Sequence, residues 1–219
     1  MFPISQTPTM DLTRVFCNQV LLFSLLLAAT SLIGDKLATR LSQADLLWRA
    51  LQDSITHGVV GMLSWAVVET PGLEACKWMS CVVCGILASA IDVDHFLAAK
   101  SLQLQDAVNL KHRPPFHSTS LVLMLTSTLW CVSSLLPTLP LKKPALLLLT
   151  AWLSHHLRDA NRRGLWFPPI GSSPPLPSVV YIGSTVLLAV CVHYLYVHCL
   201  VVRTPTAVEV ISVTNILTQ

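Results

Sequence analysis

Long apolar stretches alternate with short polar segments along most of the chain. Three of these stretches carry no charged residue and reach the roughly 20 mostly apolar residues that a helix needs to cross a bilayer. They are residues 17–34, 118–141 and 178–202. Three shorter apolar stretches, each adjoining polar residues, are residues 54–68, 78–91 and 144–157. The pattern predicts an all-α, multi-pass helical membrane protein with about six spanning or partly spanning helices.

The segments between these stretches predict a surface helix, a turn and extended connections. Residues 35–52 place apolar residues at i, i+4 and i+7 beside basic ones, which is typical of a helix lying on a membrane surface. Gly72 marks a turn, Pro114 and Pro115 stop any helix, and residues 168–177 contain five prolines. We therefore expect one membrane domain at residues 17–202, with an N-terminal tail at 1–16 and a C-terminal tail at 203–219.

Composition agrees with a membrane protein. Of the 219 residues, 53% are hydrophobic and 11% are charged, against about 25% charged in soluble domains. The net charge of +3 comes from scattered lysines and arginines, so membrane lipids are the expected partners and nucleic acid is not. Cys81 and Cys84 stand one helical turn apart in an apolar stretch, which favours core packing over a zinc or redox role.

Histidines and aspartates gather in a few places beside the apolar stretches. They form clusters at residues 91–95, 112–118 and 154–159, together with a single histidine, His57. Such residues are costly near lipid, and both are ligand types that divalent metals prefer. Any one of these clusters also fits a solvated polar helix end.

The six-helix arrangement places all of these clusters on one face of the membrane, together with Asp35. If only the three long stretches spanned, residues 155–159 would lie on the opposite face. Nine of the lysines and arginines fall on the clustered face and five on the other, so the positive-inside tendency places that face in the cytosol. His193 and His198 fall on the other face, where a structural or interfacial role is expected. A common face predicts one site built from all the clusters.

Helical spacing pairs ligand types within two of the clusters. Asp92 and His95 are one turn apart, and so are His155 and Asp159. Each pair combines a carboxylate oxygen with an imidazole nitrogen, a combination that suits zinc, manganese or iron.

The same residues resemble the motifs of the bacterial LexA-regulated, membrane-bound metal-dependent hydrolases. That family has a histidine in an early helix, then Asp-x-Asp-His, His-Arg-x-x-x-His-Ser, and His-x-x-x-Asp followed by glycine and an aromatic-proline pair. In this chain the motifs occur in the same order, within residues 54–170, at His57, 92–95, 112–118, 155–159 and 164–168. The chain has Ile91 and Pro114 where the bacterial pattern has proline and glycine. Residues 61–68 and 154–159 are more similar to the vertebrate transmembrane protein 267 family.

The residues and the resemblance together imply a site for a divalent metal (zinc, manganese or iron) at one membrane face. The expected ligands or bases are His57, Asp92, His95, His117, His155 and Asp159. The residues expected to support catalysis are Asp94, His112 and His156, which orient the ligands, and Arg113, which binds an anion.

The leading hypothesis for function is a membrane protein with a divalent-metal site at one membrane face, related to metal-dependent hydrolases. If it is active, the metal would serve to hydrolyse an ester or phosphoester. Two alternatives fit the same residues. One is a non-enzymatic membrane protein that keeps the site as a structural staple, and the other is a transporter in which histidines and aspartates relay ions. Transport predicts polar residues spread through the bilayer, whereas here they collect at one face, so it ranks last.

Overall fold

The computed structural model describes residues 12–69 and 75–201 of the chain, and most of these are in eight α-helices. The helices are α1 (Leu12–Arg40), α2 (Leu46–Val68), α3 (Ala75–Ala90), α4 (Val93–Ala99), α5 (Leu104–Val108), α6 (Thr119–Leu135), α7 (Lys142–Arg163) and α8 (Ser178–Tyr196). The shorter elements are 3-10 helices at Leu41–Gln43 and Pro115–His117, a π-helical turn at Val197–Val201, and an antiparallel hairpin of β1 (Trp166–Phe167) and β2 (Gly171–Ser172). The all-α prediction is confirmed, and the hairpin is an addition to it.

Three helical segments of the described chain are long and apolar enough to cross a membrane, by length and composition: Cys17–Gln43, Trp78–Ala99 and Ser178–Leu200. Helix α6 is a shorter apolar helix of 17 residues, because Pro137 and Pro140 prevent it from continuing to residue 141. Helices α2 and α7 have 23 and 22 residues, but they carry polar side chains along part of their length. The count of six spans therefore stays a prediction.

The prediction of a separate surface helix at residues 35–52 is wrong. Helix α1 continues into this segment, and α2 begins within it at Leu46. The chain reverses between the two helices, where Ala44 has an extended backbone conformation with φ −78° and ψ 168°. The Gln52 side-chain amide donates to the Gly34 carbonyl at 3.0 Å, which fastens α2 along α1. Periodicity alone does not reveal this break, because the apolar spacing continues through both helix ends.

Some predicted boundaries fall at the edges of the described chain. Helix α1 begins at Leu12, inside the predicted N-terminal tail. The predicted turn at Gly72 and the predicted C-terminal tail at residues 203–219 lie outside the described residues.

Helix α2 lies at the centre of the bundle and packs against α1, α3, α7 and α8. Its inner face contributes Trp65, Ala66 and Val68 to a hydrophobic core that α3, α7 and α8 complete. Cys81 and Cys84 are buried in this core, so the prediction that they serve packing is confirmed. The burial of this apolar surface stabilises the bundle around α2.

Helices α2 and α3 approach closely because small residues face each other at their crossing. A Cβ atom added at Gly85 would lie 2.7 Å from the Gly58 carbonyl oxygen, and one added at Gly61 would lie 2.6 Å from the Ala88 Cβ. Larger side chains would force the helices apart. This crossing sets the position of the C-terminal end of α3, where the Ala88 carbonyl and Asp92 lie.

The end of α7 is held by the segment that follows it. Gly164 ends the helix with φ +72°, a conformation that favours glycine. The Leu176 amide then donates to the Ala160 carbonyl at 2.7 Å, so the predicted extended segment at residues 168–177 folds back onto α7. A bridge between Ser118 and Trp166 ties the hairpin to the start of α6. The C-terminal half of α7 is thereby fixed beside the residues that precede α6.

Candidate metal centre

All of the predicted clusters meet in one region of the bundle. His57 comes from α2, Asp92 from the junction of α3 and α4, His117 from the 3-10 helix before α6, and His155 from α7. The sequence predicted that His57 would lie at the start of its helix. Because α2 begins at Leu46, His57 lies about three turns inside the helix. Its side chain is 1% exposed.

Four of the six predicted ligands form one compact set, which we call the metal group: Asp92, His117, His155 and Asp159. The two histidine Nε2 atoms are 3.3 Å apart. Nε2 of His117 lies 3.4 Å from Asp92 Oδ1 and 3.5 Å from Asp159 Oδ2. Nε2 of His155 lies 3.5 Å and 3.6 Å from the same two oxygens. A tetrahedral centre with metal–ligand bonds of about 2.0–2.2 Å separates its ligand atoms by roughly 3.3–3.6 Å.

The orientation of His155 is fixed by a main-chain contact. Its Nδ1 lies 2.9 Å from the Ala88 carbonyl oxygen, which can only accept a hydrogen bond. Nδ1 therefore carries the proton, and the lone pair of Nε2 points into the metal group. A buried second partner of this kind is the usual means of fixing a metal-binding histidine. The ring is fully buried and stacks on His57, with centroids 3.8 Å apart.

Asp94 performs the corresponding role for His117. Its Oδ1 lies 3.4 Å from Nδ1 of His117, and its Oδ2 accepts a hydrogen bond of 2.7 Å from the Phe116 amide. Burial lowers the pKa of His117, but hydrogen bonds with Asp159, Asp92 and Asp94 raise it more strongly, to about 11. The carboxylates around this ring therefore favour its positively charged form.

His95 belongs to a second set with Asp94 and His117. Its Nδ1 lies 3.3 Å from Asp94 Oδ1 and 3.7 Å from Asp92 Oδ1. This set uses Nδ1 of His117, whereas the metal group uses Nε2 of the same ring. A neutral imidazole carries a proton on one nitrogen, so the two sets cannot both bind an ion through it. His95 therefore belongs to an alternative set of ligands beside the metal group.

His57 belongs to a third set, which already contains a cation. Nη1 of the buried Arg158 lies 2.5 Å from Asp53 Oδ1 and donates to His57 Nε2 at 3.0 Å. Arg162 adds two hydrogen bonds to Asp53, at 3.0 and 2.7 Å. We call Asp53, His57, Arg158 and Arg162 the arginine group. Because the guanidinium of Arg158 occupies Nε2 of His57, the structure places this predicted ligand beside the metal group and not within it.

The arginine group extends to two further helices. Nη2 of Arg158 lies 3.8 Å from Asp35 Oδ1, and the Tyr181 hydroxyl donates to the Asp35 carboxylate. Sequence reasoning placed Asp35 on the same face as the clusters but missed Asp53 altogether. The signal was present, because Asp53 and His57 have the same i, i+4 spacing as His155 and Asp159.

The remaining predicted site residues stabilise the surrounding loops or lie apart. His156 donates from Nε2 to the Phe116 carbonyl at 2.8 Å and accepts from the Thr119 hydroxyl at 3.3 Å, so it fixes the loop that carries His117. Arg113, predicted to bind an anion, lines the cleft beside the metal group and donates to the main-chain carbonyls of Gly164, at 3.0 Å, and Arg163. His112 is exposed and belongs to none of the three sets.

Comparison with known proteins relates the chain to transmembrane proteins of one family. No family model matches the chain, and no solved structure matches it. Transmembrane protein 267 of Mus musculus is 43% identical over 141 residues, which cover 64% of this chain and 65% of the mouse protein, less than two thirds of its length.

The frog and zebrafish relatives align over a longer part of the chain. Transmembrane protein 267 of Xenopus laevis is 38% identical over 188 residues, covering 82% of this chain and 85% of the relative. That of Danio rerio is 35% identical over 191 residues, covering 81% and 80%. The chain therefore belongs to the transmembrane protein 267 family.

Proposed function

We propose that this membrane protein holds one divalent metal ion at Asp92, His117, His155 and Asp159 and uses it to hydrolyse an ester or phosphoester. The observation that carries the proposal is the spacing of the four ligand atoms. Five of the six distances between them are 3.3–3.6 Å, as in a tetrahedral metal centre, and all six are within 4.8 Å. Two imidazole nitrogens and two carboxylate oxygens suit zinc, manganese or iron.

The charge of the metal group supports a divalent ion. Two carboxylates and two neutral imidazoles carry a charge of −2, and charges that are largely removed from water are costly unless they are paired. No lysine or arginine in the described part of the chain forms an ion pair with Asp92 or Asp159. A divalent cation would neutralise the group and replace the proton on His117.

The chemistry follows from the positions of the ligands and their neighbours. A divalent ion held there would acidify water and polarise a carbonyl or phosphoryl oxygen. Asp92 and Asp159 are about a third and a quarter exposed and line an open cleft, so a substrate could reach them. His95 lines the same cleft, and with its Nδ1 facing Asp94 its Nε2 is the nitrogen that takes or gives a proton. Contacts with Asp94 and with the Ala88 carbonyl fix the ring orientations of His117 and His155, respectively.

The resemblance to the bacterial metal-dependent hydrolases points the same way. All four residues of the metal group fall on motif positions of that family, at 92–95, 112–118 and 155–159. Asp94 and His95 also fall on these motifs, which supports their proposed roles beside the ligands.

A structural metal site is the second candidate, and one observation favours it. Four protein ligands close a tetrahedral zinc shell, whereas catalytic zinc sites usually have three ligands and an open position. The coordination number distinguishes the two: X-ray absorption that shows four protein ligands and no further oxygen supports a structural staple, and a water-derived oxygen in the shell supports catalysis.

The experiment that tests the enzymatic proposal measures hydrolysis by the full chain in detergent. Protein stripped with a chelator and reloaded with zinc, manganese or iron would be assayed on p-nitrophenyl esters and on bis-p-nitrophenyl phosphate. We expect metal-dependent turnover that falls by about 10²- to 10⁴-fold in His95→Gln with no loss of bound metal, since this is the usual contribution of acid–base catalysis. The matched variant His112→Gln should keep its activity. Equal rates in the metal-free and reloaded proteins would contradict the proposal.

A further inference from the structure

A cleft of about 1050 Å³ opens directly over the candidate metal centre. Asp92, His117 and Asp159 of the metal group line it, together with His95. Its volume is slightly larger than the 300–1,000 Å³ that small-molecule sites usually occupy. The cleft therefore has room for a ligand that reaches well beyond the metal ligands themselves.

One wall of the cleft is apolar and is open to the cavity. Leu47 and Leu51 of α2 face it and are 66% and 45% exposed. Phe96 of α4 and Val108 of α5 complete this wall. Side chains of this kind, left uncovered beside a polar floor, are suited to an alkyl chain.

Arginines lie at the edge of the same cleft. Arg49 and Arg163 line it, and both side chains are exposed. Within the described residues neither forms an ion pair, in contrast to Arg158 and Arg162, which pair with Asp53. Guanidinium groups without a carboxylate partner are suited to phosphate.

From these three features we infer that the cleft binds an anionic amphiphile, with a phosphate group at the metal centre and beside Arg163, and an alkyl chain along the wall formed by Leu47, Leu51 and Phe96. The inference rests on the metal centre proposed above. The same phosphate chemistry is available from inorganic phosphate, so the two sources must be separated experimentally.

The test uses the full chain, stripped of metal and loaded with Co²⁺ in an uncharged maltoside detergent. The visible absorption of Co²⁺ reports ligands that enter its coordination shell and requires no turnover. The probes are dihexanoyl phosphatidic acid, inorganic phosphate, and dihexanoyl glycerol, which has the chains without the phosphate. We expect phosphatidic acid to change the spectrum at a concentration at least about tenfold below that of inorganic phosphate, because chain burial adds to phosphate binding. Dihexanoyl glycerol should leave the spectrum unchanged.

Matched variants separate the contribution of the alkyl chain to binding from that of the phosphate group. Leu47→Ala should weaken phosphatidic acid binding by about 3- to 10-fold and leave inorganic phosphate unaffected. Leu37→Ala, an exposed leucine of α1 outside the cleft, is its control. Arg163→Gln should weaken both phosphate-bearing probes, and Arg40→Gln, which also lies outside the cleft, should weaken neither.

Two failures are distinguishable. A Co²⁺ spectrum that responds equally to phosphatidic acid and inorganic phosphate, or a Leu47→Ala variant that binds both as the parent does, overturns the amphiphile inference and leaves the metal centre in place. A chain that takes up no Co²⁺ overturns the metal centre and the inference together.

Discussion

The metal group and the arginine group contain the same kinds of ligand and lie side by side, but they are neutralised differently. Asp159 faces both, with Oδ1 3.3 Å from His57 and Oδ2 3.5 Å from His117. In the arginine group the Arg158 guanidinium lies between Asp53 and His57 and supplies the positive charge. In the metal group no side chain of the described residues does so, apart from the proton on His117. The same ligand types therefore occur in two different settings, one that contains arginine and one that does not.

The largest effect should come from removing the cation of the arginine group. Arg158→Met removes the buried guanidinium that pairs with Asp35 and Asp53 and leaves Asp53 with Arg162 alone, which should lower the free energy of unfolding by about 3–5 kcal/mol. Arg162→Met is the matched control, because its side chain is 45% exposed and its loss should cost less than about 1 kcal/mol. Unfolding of the full chain by SDS in mixed micelles measures both. Equal losses in the two variants would show that Arg158 does not neutralise this group.

The next largest effect should come from removing a ligand of the metal group. His155→Ala should lower the affinity for a divalent ion by more than the 10- to 100-fold typical of residues behind the ligands. His193→Ala provides a matched histidine, since His193 contacts the Val68 carbonyl at 2.8 Å, away from the metal group. Metal titration followed by isothermal calorimetry measures both affinities. The metal group is contradicted if the two variants bind equally well.

Removal of the charge behind His117 should have a smaller effect. Asp94→Asn keeps the size of the side chain but weakens its contact with Nδ1 of His117, so the metal affinity should fall by about 10- to 100-fold. Asp106→Asn, on α5, changes an exposed aspartate that bonds to Ser101 and should bind metal as the parent does. The same calorimetric titration compares the pair. Unchanged affinity in Asp94→Asn would remove this aspartate from the site.

The smallest effect on metal binding should come from the helix crossing that positions His155. Gly85→Val places a side chain against the Gly58 carbonyl, pushes α3 from α2, and should cost about 1–3 kcal/mol of unfolding free energy. It should also weaken metal binding slightly, because the Ala88 carbonyl that fixes His155 lies on the same stretch of α3. Gly183→Val, where nothing lies within 4 Å of an added Cβ, is the control and should change little. Equal stability of the two variants would contradict the close crossing.

Much of the fold could be predicted from the apolar pattern, and its limits have physical reasons. The all-α membrane fold and the burial of Cys81 and Cys84 follow from apolar runs and spacing. The reversal at Ala44 could not be seen, because a break between two amphipathic helices leaves their periodicity intact. Helix α6 is shorter than its apolar run, because Pro137 and Pro140 end the helix although the apolar residues continue.

The location of the candidate site was easier to predict from the sequence than the contacts of its side chains. The prediction that the clusters belong to one site agrees with the convergence of His57, Asp92, His117 and His155. That prediction followed from successive helices that cross the membrane in alternating directions. The sequence does not show that Arg158 blocks His57, because contacts between side chains on different helices depend on packing. Nor does it show that Ala88 fixes His155, since that contact is made by a main-chain carbonyl.

The most direct test of the central claim is the metal content of the purified full chain, measured by inductively coupled plasma mass spectrometry beside His155→Ala and His193→Ala. We expect about one zinc, manganese or iron ion per chain in the parent and in His193→Ala, little in His155→Ala, and a loss of thermal stability when the parent is chelated. A parent protein that contains no divalent metal, takes up none on addition, and is equally stable with and without chelator would contradict it.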